Sequence, residues 1–255
     1  MIETAVILAA GMGTRLGGEL KDAPKGFLRL GVQPIIEESI SCLIDAGIRD
    51  IVIVTGHGAT HYEQLAAQHD RIVRTVHNPA FADSGSMYSL YCARDAIAGG
   101  FLLLESDLIY EARAVTTLLS DPAEDAVLLS GPTHAGDEVY VWTDQPDDPR
   151  HGKLLDMSKD RQALGGRVSG ELVGISKISA ALFAIMQRIA AAAFQKSLHF
   201  DYETDCLVAA ARQHRIACPL ISDLRWAEID DPDHLKRARE QIYPEIQRLA
   251  LASTS

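Results

Sequence analysis

The chain has 255 residues, 47% hydrophobic and 23% charged, enough for an α/β domain with a substantial core. Its net charge of −11 excludes a broad nucleic-acid footprint, which needs a basic face, but not a phosphate ligand held by a few local cations. No apolar run reaches membrane-spanning length and 5–10 is too short for a signal-peptide core, while Cys42, Cys92, Cys206 and Cys218 lack metal-type spacing; a cytoplasmic chain with reduced thiols is expected.

The first half alternates short apolar runs with amphipathic segments, as parallel βαβ units do. Ala5–Leu8 reads as a buried strand followed by a glycine loop. Pro34 opens a predicted helix with Ile36, Ile40, Leu43 and Ile44 on one face, and Gly47 ends it. Strands are predicted at 51–54, 72–76, 101–104 and 126–129, with helices at 60–69 and 86–97 and one more before 126. Beyond about residue 131, short strands at 139–142, 154–157 and 171–175 are joined by polar loops, which predicts antiparallel strands at one edge of a mixed sheet. Helices at 180–194 and 204–214, a last strand at 225–229 and a helix from Pro232 complete the chain. The expectation is one domain over 1–255: a Rossmann-like, mostly parallel sheet flanked by helices, with a small antiparallel subregion at 131–178.

The segment Leu8-Ala9-Ala10-Gly11-Met12-Gly13-Thr14-Arg15-Leu16 follows a strand, so its glycines let backbone N–H groups approach an anion. A dinucleotide fingerprint needs glycine where Leu16 stands and an acid after the second strand, where Val54-Thr55-Gly56 has none. A Walker A loop needs Gly-Lys-Ser/Thr, which is absent. There remains a glycine loop with two cations, Arg15 and, after Pro24, Lys25, able to neutralise a triphosphate.

Phosphoryl chemistry of this kind calls for Mg²⁺ and carboxylate oxygens. Asp107 lies just past a strand's C-terminal end, where open α/β sheets place ligands, and Glu228 and Asp230 alternate along a late strand. Asp107 could equally be a turn residue and Asp230 the cap of the last helix. His57 and His61 are four apart but have no third partner and follow no helix through Gly58, so no zinc site is expected.

The glycine loop with Pro24-Lys25 resembles the signature of nucleotidyltransferases of the GT-A-like fold. The resemblance implies that the loop binds the nucleotide, that Arg15 and Lys25 contact phosphates, and that Asp107 and Asp230, with Glu228 beside them, hold Mg²⁺. The stretch Asn78–Leu90 is similar to bacterial phosphocholine and 2-aminoethylphosphonate cytidylyltransferases, which implies CTP as donor and a place beside it for Ser84, Gly85, Ser86 and Ser89. Those enzymes carry Thr-Asn-Asn where Ser84-Gly85-Ser86 stands. A small phosphate or phosphonate acceptor with an amino group would need an anion clamp, for which Lys159 is the candidate. Its cation would need a site such as Asp201-Tyr202-Glu203, two carboxylates flanking an aromatic face, with Glu171 nearby. Asp201 could instead cap a helix. The alternatives are a sugar- or inositol-phosphate acceptor and a nucleotide sensor without catalysis; the intact set Arg15, Lys25, Asp107 and Asp230 argues against the sensor.

Overall fold

The computed structural model describes residues 2–20, 23–69 and 71–253. Its first elements are β1 (Thr4–Ala9), α1 (Ile35–Asp45), β2 (Asp50–Thr55), α2 (Ala59–Gln68), β3 (Val73–His77) and α3 (Ser86–Cys92). They are followed by β4 (Phe101–Glu105), β5 (Leu108–Tyr110), α4 (Arg113–Ser120) and β6 (Ala126–Ser130). The remainder comprises β7 (Tyr140–Thr143), β8 (Leu154–Ser158), β9 (Gly170–Ile178), α5 (Ala180–Ala193), α6 (Val208–Ala211), β10 (Leu220–Ile221), β11 (Trp226–Glu228), α7 (Pro232–Arg237) and α8 (Tyr243–Ser253).

Among the described residues the main sheet runs β10-β6-β9-β4-β1-β2-β3, with β7 and β8 branching from β9. Strands β3, β2, β1 and β4 are mutually parallel. Both faces of β1, β2 and β4 are covered, so these strands are almost wholly apolar and not alternating, whereas the edge strand β3 carries Arg74 and His77. In β1, Val6 and Leu8 enter one core with Val52, Val54 and Leu103, whereas Ala5, Ile7 and Ala9 enter the other with Ile51, Ile53 and Leu104. The period of two thus builds two hydrophobic layers from one sheet.

The antiparallel strands occur, but not all at an edge. β9 lies inside the sheet, antiparallel to β4 on one side and β6 on the other. The excursion from β6 through β7 and β8 to β9 contains no helix, and without a crossover a returning strand must run antiparallel. Its Leu172, Val173 and Ile175 are buried, as an interior position requires. Two shorter corrections concern helices. The one expected over 86–97 ends at Cys92 and gives way to a 3₁₀ turn, and the one over 204–214 begins as a π-helical turn at Tyr202–Leu207.

Gly85 shows why α3 starts where it does. A Cβ there would lie 2.6 Å from the backbone oxygen of Phe200, because Gly85 N–H donates to Leu198 C=O at 2.9 Å and Met87 N–H to Phe200 C=O at 3.1 Å. Gly85→Ala is expected to destabilise the fold by about 1–3 kcal/mol through overpacking, read as a lowered midpoint in urea unfolding.

Candidate active site

The site forms where β1 and β4 end side by side, with Leu8 opposite Glu105 and the Ser106 N–H bonded to the Leu8 carbonyl at 3.0 Å. Open α/β sheets place ligands at this carboxyl edge. The glycine loop leaves β1 here. Leu16, which occupies the position that a dinucleotide fingerprint reserves for glycine, is a core anchor packed with Leu28 and Ile229. Gly13 has φ +62°, and a Cβ on it would meet the Lys25 Cγ at 3.0 Å; its bare backbone lets the lysine stem pass.

Lys25 stands on a 3₁₀ turn, Lys25–Phe27, and its ammonium donates to Asp107 Oδ2 at 2.8 Å and to Asp230 Oδ1. Arg15 donates to Asp230 Oδ2 at 2.9 Å. The two acids, 123 positions apart in the chain, are brought together by backbone pairing. β5 and β11 form a two-stranded sheet with Leu108 opposite Glu228, and the Ile229 N–H donates to the Asp107 carbonyl at 3.0 Å. β5 was absent from the predicted elements, being three residues long. Asp231, not Asp230, caps α7, accepting from the N–H groups of Asp233 and His234 at 2.9 and 2.8 Å, so Asp230 is left for the site. Tyr62, missed by sequence reasoning, is fully buried with its hydroxyl between Ser106 and the Gly26 backbone, fastening the Lys25 turn to the Asp107 turn.

Oxygens of Asp107, Glu228 and Asp230 lie within 4.8 Å of one another. An all-oxygen, all-carboxylate set of this spacing fits Mg²⁺ in its donor chemistry. Titration follows from burial and neighbours. Burial alone would lower the Lys25 ammonium, but Asp107 and Asp230 outweigh it and hold Lys25 above its ordinary value. Burial raises Glu228 well above the carboxylate range, and the charges of Asp107 and Asp230 raise it further. Asp230 is lowered despite burial, because Lys25 and Arg15 face it.

A cleft beside the loop is lined by Leu8, Ala10 and Gly11 and by Phe81, Ser84, Gly85, Ser86, Ser89 and Glu105. Leu8, Ala10 and Gly11 of the glycine loop thus meet Ser84, Gly85, Ser86 and Ser89 at the start of α3. Asn78, fully buried, sets two of them, its Nδ2 donating to Ser84 Oγ and Ser89 Oγ at 3.0 Å each. The Ala9 side chain instead lies in the core, while Met12, Thr14 and Arg15 are exposed on the loop.

On the other side of the acids a cavity is lined by five carboxylates, Glu105, Asp137, Glu138, Glu203 and Glu228, and by two cations, Lys159 and Arg237. Burial pushes Glu203 up to about 7, with the Tyr202 hydroxyl, which donates to Glu203 Oε1 at 2.9 Å, pulling the other way. Burial also raises Glu105, and Glu203 and Asp107 add to it. Three expectations change here. Tyr202 is 1% exposed, so its ring offers no face to a cation; it contributes a hydroxyl that fixes Glu203. Asp201 points to α3, accepting from the Ser86 N–H and Oγ at 3.3 and 3.2 Å. Glu171 lies outside the cavity wall and accepts from the Thr133 N–H and hydroxyl at 2.8 and 2.7 Å, because β9 runs interior and aims this side chain at the loop after β6. Glu105, Asp137, Glu138 and Arg237 were not anticipated. Glu105 closes the apolar run of β4 in Glu105-Ser106-Asp107 and could have been read as an acid at a strand's carboxyl end, whereas the others carry no local signal.

Among curated proteins, CMP-5'-(3-aminopropyl)phosphonate synthase of Streptomyces rubellomurinus is 29% identical over 257 residues, covering 96% of this chain, which spans only 40% of that relative's length. The 2-aminoethylphosphonate cytidylyltransferase of Lancefieldella rimae is 28% identical over 180 residues, 69% of this chain and 67% of that protein. Among solved structures, the inositol-1-phosphate CTP transferase from T. maritima superposes with a TM-score of 0.78 at 16% identity over 96% of both chains, a likeness of fold. No described helix is long and apolar enough to cross a membrane. Residues 5–242 match the family described as the MobA-like NTP transferase domain, and the chain belongs to that family.

Proposed function

We propose that this chain transfers CMP from CTP to a small aminoalkyl phosphonate or phosphate and releases pyrophosphate. The observation that carries the reading is the Lys25 ammonium bound to both Asp107 and Asp230 beside the glycine loop, between the cleft at the start of α3 and a cavity bearing both signs of charge. The named relatives, one a CMP-phosphonate synthase and one a cytidylyltransferase, support cytosine as the base and a phosphonate as the acceptor class.

Asp107, Asp230 and Glu228 would hold Mg²⁺, which when bound supplies positive charge against the triphosphate. An acceptor oxygen, already anionic at neutral pH, attacks the α-phosphorus in line; the new P–O bond forms as the bond to the β-phosphate oxygen breaks, and pyrophosphate carries away that electron pair. No base is required. Arg15 and Lys25 offset charge on the triphosphate as pyrophosphate leaves, Ser84, Ser86 and Ser89 line the nucleotide cleft, and Lys159 and Arg237 receive the acceptor's anionic end.

The test is pyrophosphate release with CTP and Mg²⁺ over a panel of phosphocholine, 2-aminoethylphosphonate, phosphoethanolamine, inositol 1-phosphate and a hexose 1-phosphate, with UTP and ATP as base controls. Turnover of an aminoalkyl acceptor is expected, falling about 10²–10³-fold in Asp107→Asn while CTP binding persists, the size of losing one charge-stabilising group. Turnover confined to a sugar or inositol phosphate would overturn the acceptor class, and CTP binding without turnover would favour a nucleotide sensor.

A further inference from the structure

The carboxylates of the acceptor cavity differ in what they lack. Asp137 Oδ2 is buried without a hydrogen-bond partner on a residue of the cavity wall. Buried polar atoms are ordinarily satisfied, and an unpartnered carboxylate oxygen on a residue of the cavity wall points to a ligand that supplies the missing donor. Asp137 is nonetheless held in place. His234 Nε2, from the helix that follows the metal acids, lies 3.5 Å from Asp137 Oδ1. The loop carrying Asp137 is tied at Thr133 by Glu171 and by Arg237, whose Nη2 donates to the Thr133 carbonyl at 3.0 Å. The carboxylate is thus set before any ligand arrives, which favours specific recognition.

The kind of cation follows from the wall. A quaternary ammonium has no N–H to donate and is recognised chiefly by aromatic faces. Here Tyr202 is in the core, and Trp226, the aromatic residue of the lining, packs with Leu224, Tyr110 and Leu108 in a buried cluster. What the cavity presents is hydrogen-bond-accepting oxygen, from Asp137, Glu203 and Glu105. A methylated nitrogen would leave Asp137 Oδ2 as unsatisfied as before, whereas a primary ammonium brings three donors.

We infer that the acceptor's nitrogen is a primary ammonium, that Asp137, positioned by His234, reads its N–H groups together with Glu203, and that the site selects against trimethylated acceptors. This rests on the reading of the chain as a CMP transferase whose acceptor occupies this cavity. The experiment compares 2-aminoethylphosphonate, its N,N,N-trimethyl analogue and ethylphosphonate, both as acceptors with CTP and Mg²⁺ and as ligands in calorimetric titration of the CTP-loaded protein. The primary amine should exceed the trimethyl analogue by at least about 100-fold in kcat/KM, as sites built around a substrate N–H do. Asp137→Asn should compress the ratio of primary amine to ethylphosphonate about 10–100-fold, mainly through KM, with His234→Gln compressing it less. Equal or better use of the trimethyl analogue overturns the inference, as does an unchanged ratio in Asp137→Asn that still binds CTP. If none of the three is turned over, CMP transfer to this acceptor class falls, and titration still decides the cation: tighter binding of the primary amine supports the inference, equal binding overturns it.

Discussion

Lys25→Met is expected to slow CMP transfer about 10²–10³-fold and, separately, to lower the melting temperature of the metal-free protein. The ammonium lies between Asp107 and Asp230 with side-chain exposures of 14%, 12% and 7%, so its removal leaves two carboxylates facing each other with little water. Breaking a buried pair from one side costs about 3–5 kcal/mol, and here Arg15, still paired with Asp230 at 2.9 Å, keeps the loss toward the lower end. Mg²⁺ held by Asp107, Glu228 and Asp230 as proposed would favour the folded state, so its addition is expected to restore much of the variant's stability while leaving turnover low, since the charge of Lys25 is not replaced. Thermal unfolding of both proteins with and without Mg²⁺ checks this. A variant as stable as the parent without metal would show that the lysine does not hold the acids together.

Glu203→Gln is expected to stabilise the protein at neutral and alkaline pH while weakening acceptor use. Burial raises Glu203 from 4.5 to about 7, so between these values the folded chain retains a proton that the unfolded chain has released. Stability from this group is therefore complete below 4.5 and is lost as pH rises through about 7. The glutamine carries no such loss, and its advantage should grow from near zero at pH 4.5 to about 2–3 kcal/mol at pH 8. Urea midpoints at the two pH values, measured in chelator, check the sign; an advantage larger at low pH would refute the assignment. Acceptor binding should move oppositely. A cation favours the carboxylate, so for the parent enzyme the acceptor's KM should rise as pH falls through about 7, and the glutamine variant should lose that limb. The cluster of Glu105, Glu203 and Glu228 is thus held at a cost to the fold, as functional sites often are.

How far the site was legible depended on distance along the chain. The glycine loop lies within one segment, and its glycines, Arg15 and Pro24-Lys25 stand close enough in the chain for a candidate anion site to be proposed from the sequence. Asp107 and Asp230 stood out as acids at strand ends, but each had a local alternative of equal weight. Asp231 took the capping role, and the bond from the Ile229 N–H to the Asp107 carbonyl joined the two sites, neither of which periodicity can show. The cavity beyond the acids was the least legible part. Asp201-Tyr202-Glu203 looked like a cation site because the three are adjacent, yet in a helical turn adjacent side chains point apart: Tyr202 goes to the core, Asp201 to Ser86, and Glu203 alone to the cavity.

Composition and periodicity by themselves determined the layered α/β architecture, because buried parallel strands must be apolar on both faces and the helices between them apolar on one. The glycine loop after β1 was legible too, because its motif lies within residues a few positions apart. Only the tertiary structure decided that β9 is interior, that Glu171 braces a loop, and that Asp137, Arg237 and Glu105 share a cavity with Glu203. Those side chains meet through strand register and the docking of α7, and long-range placement of this kind leaves no periodic trace in the segments that it joins.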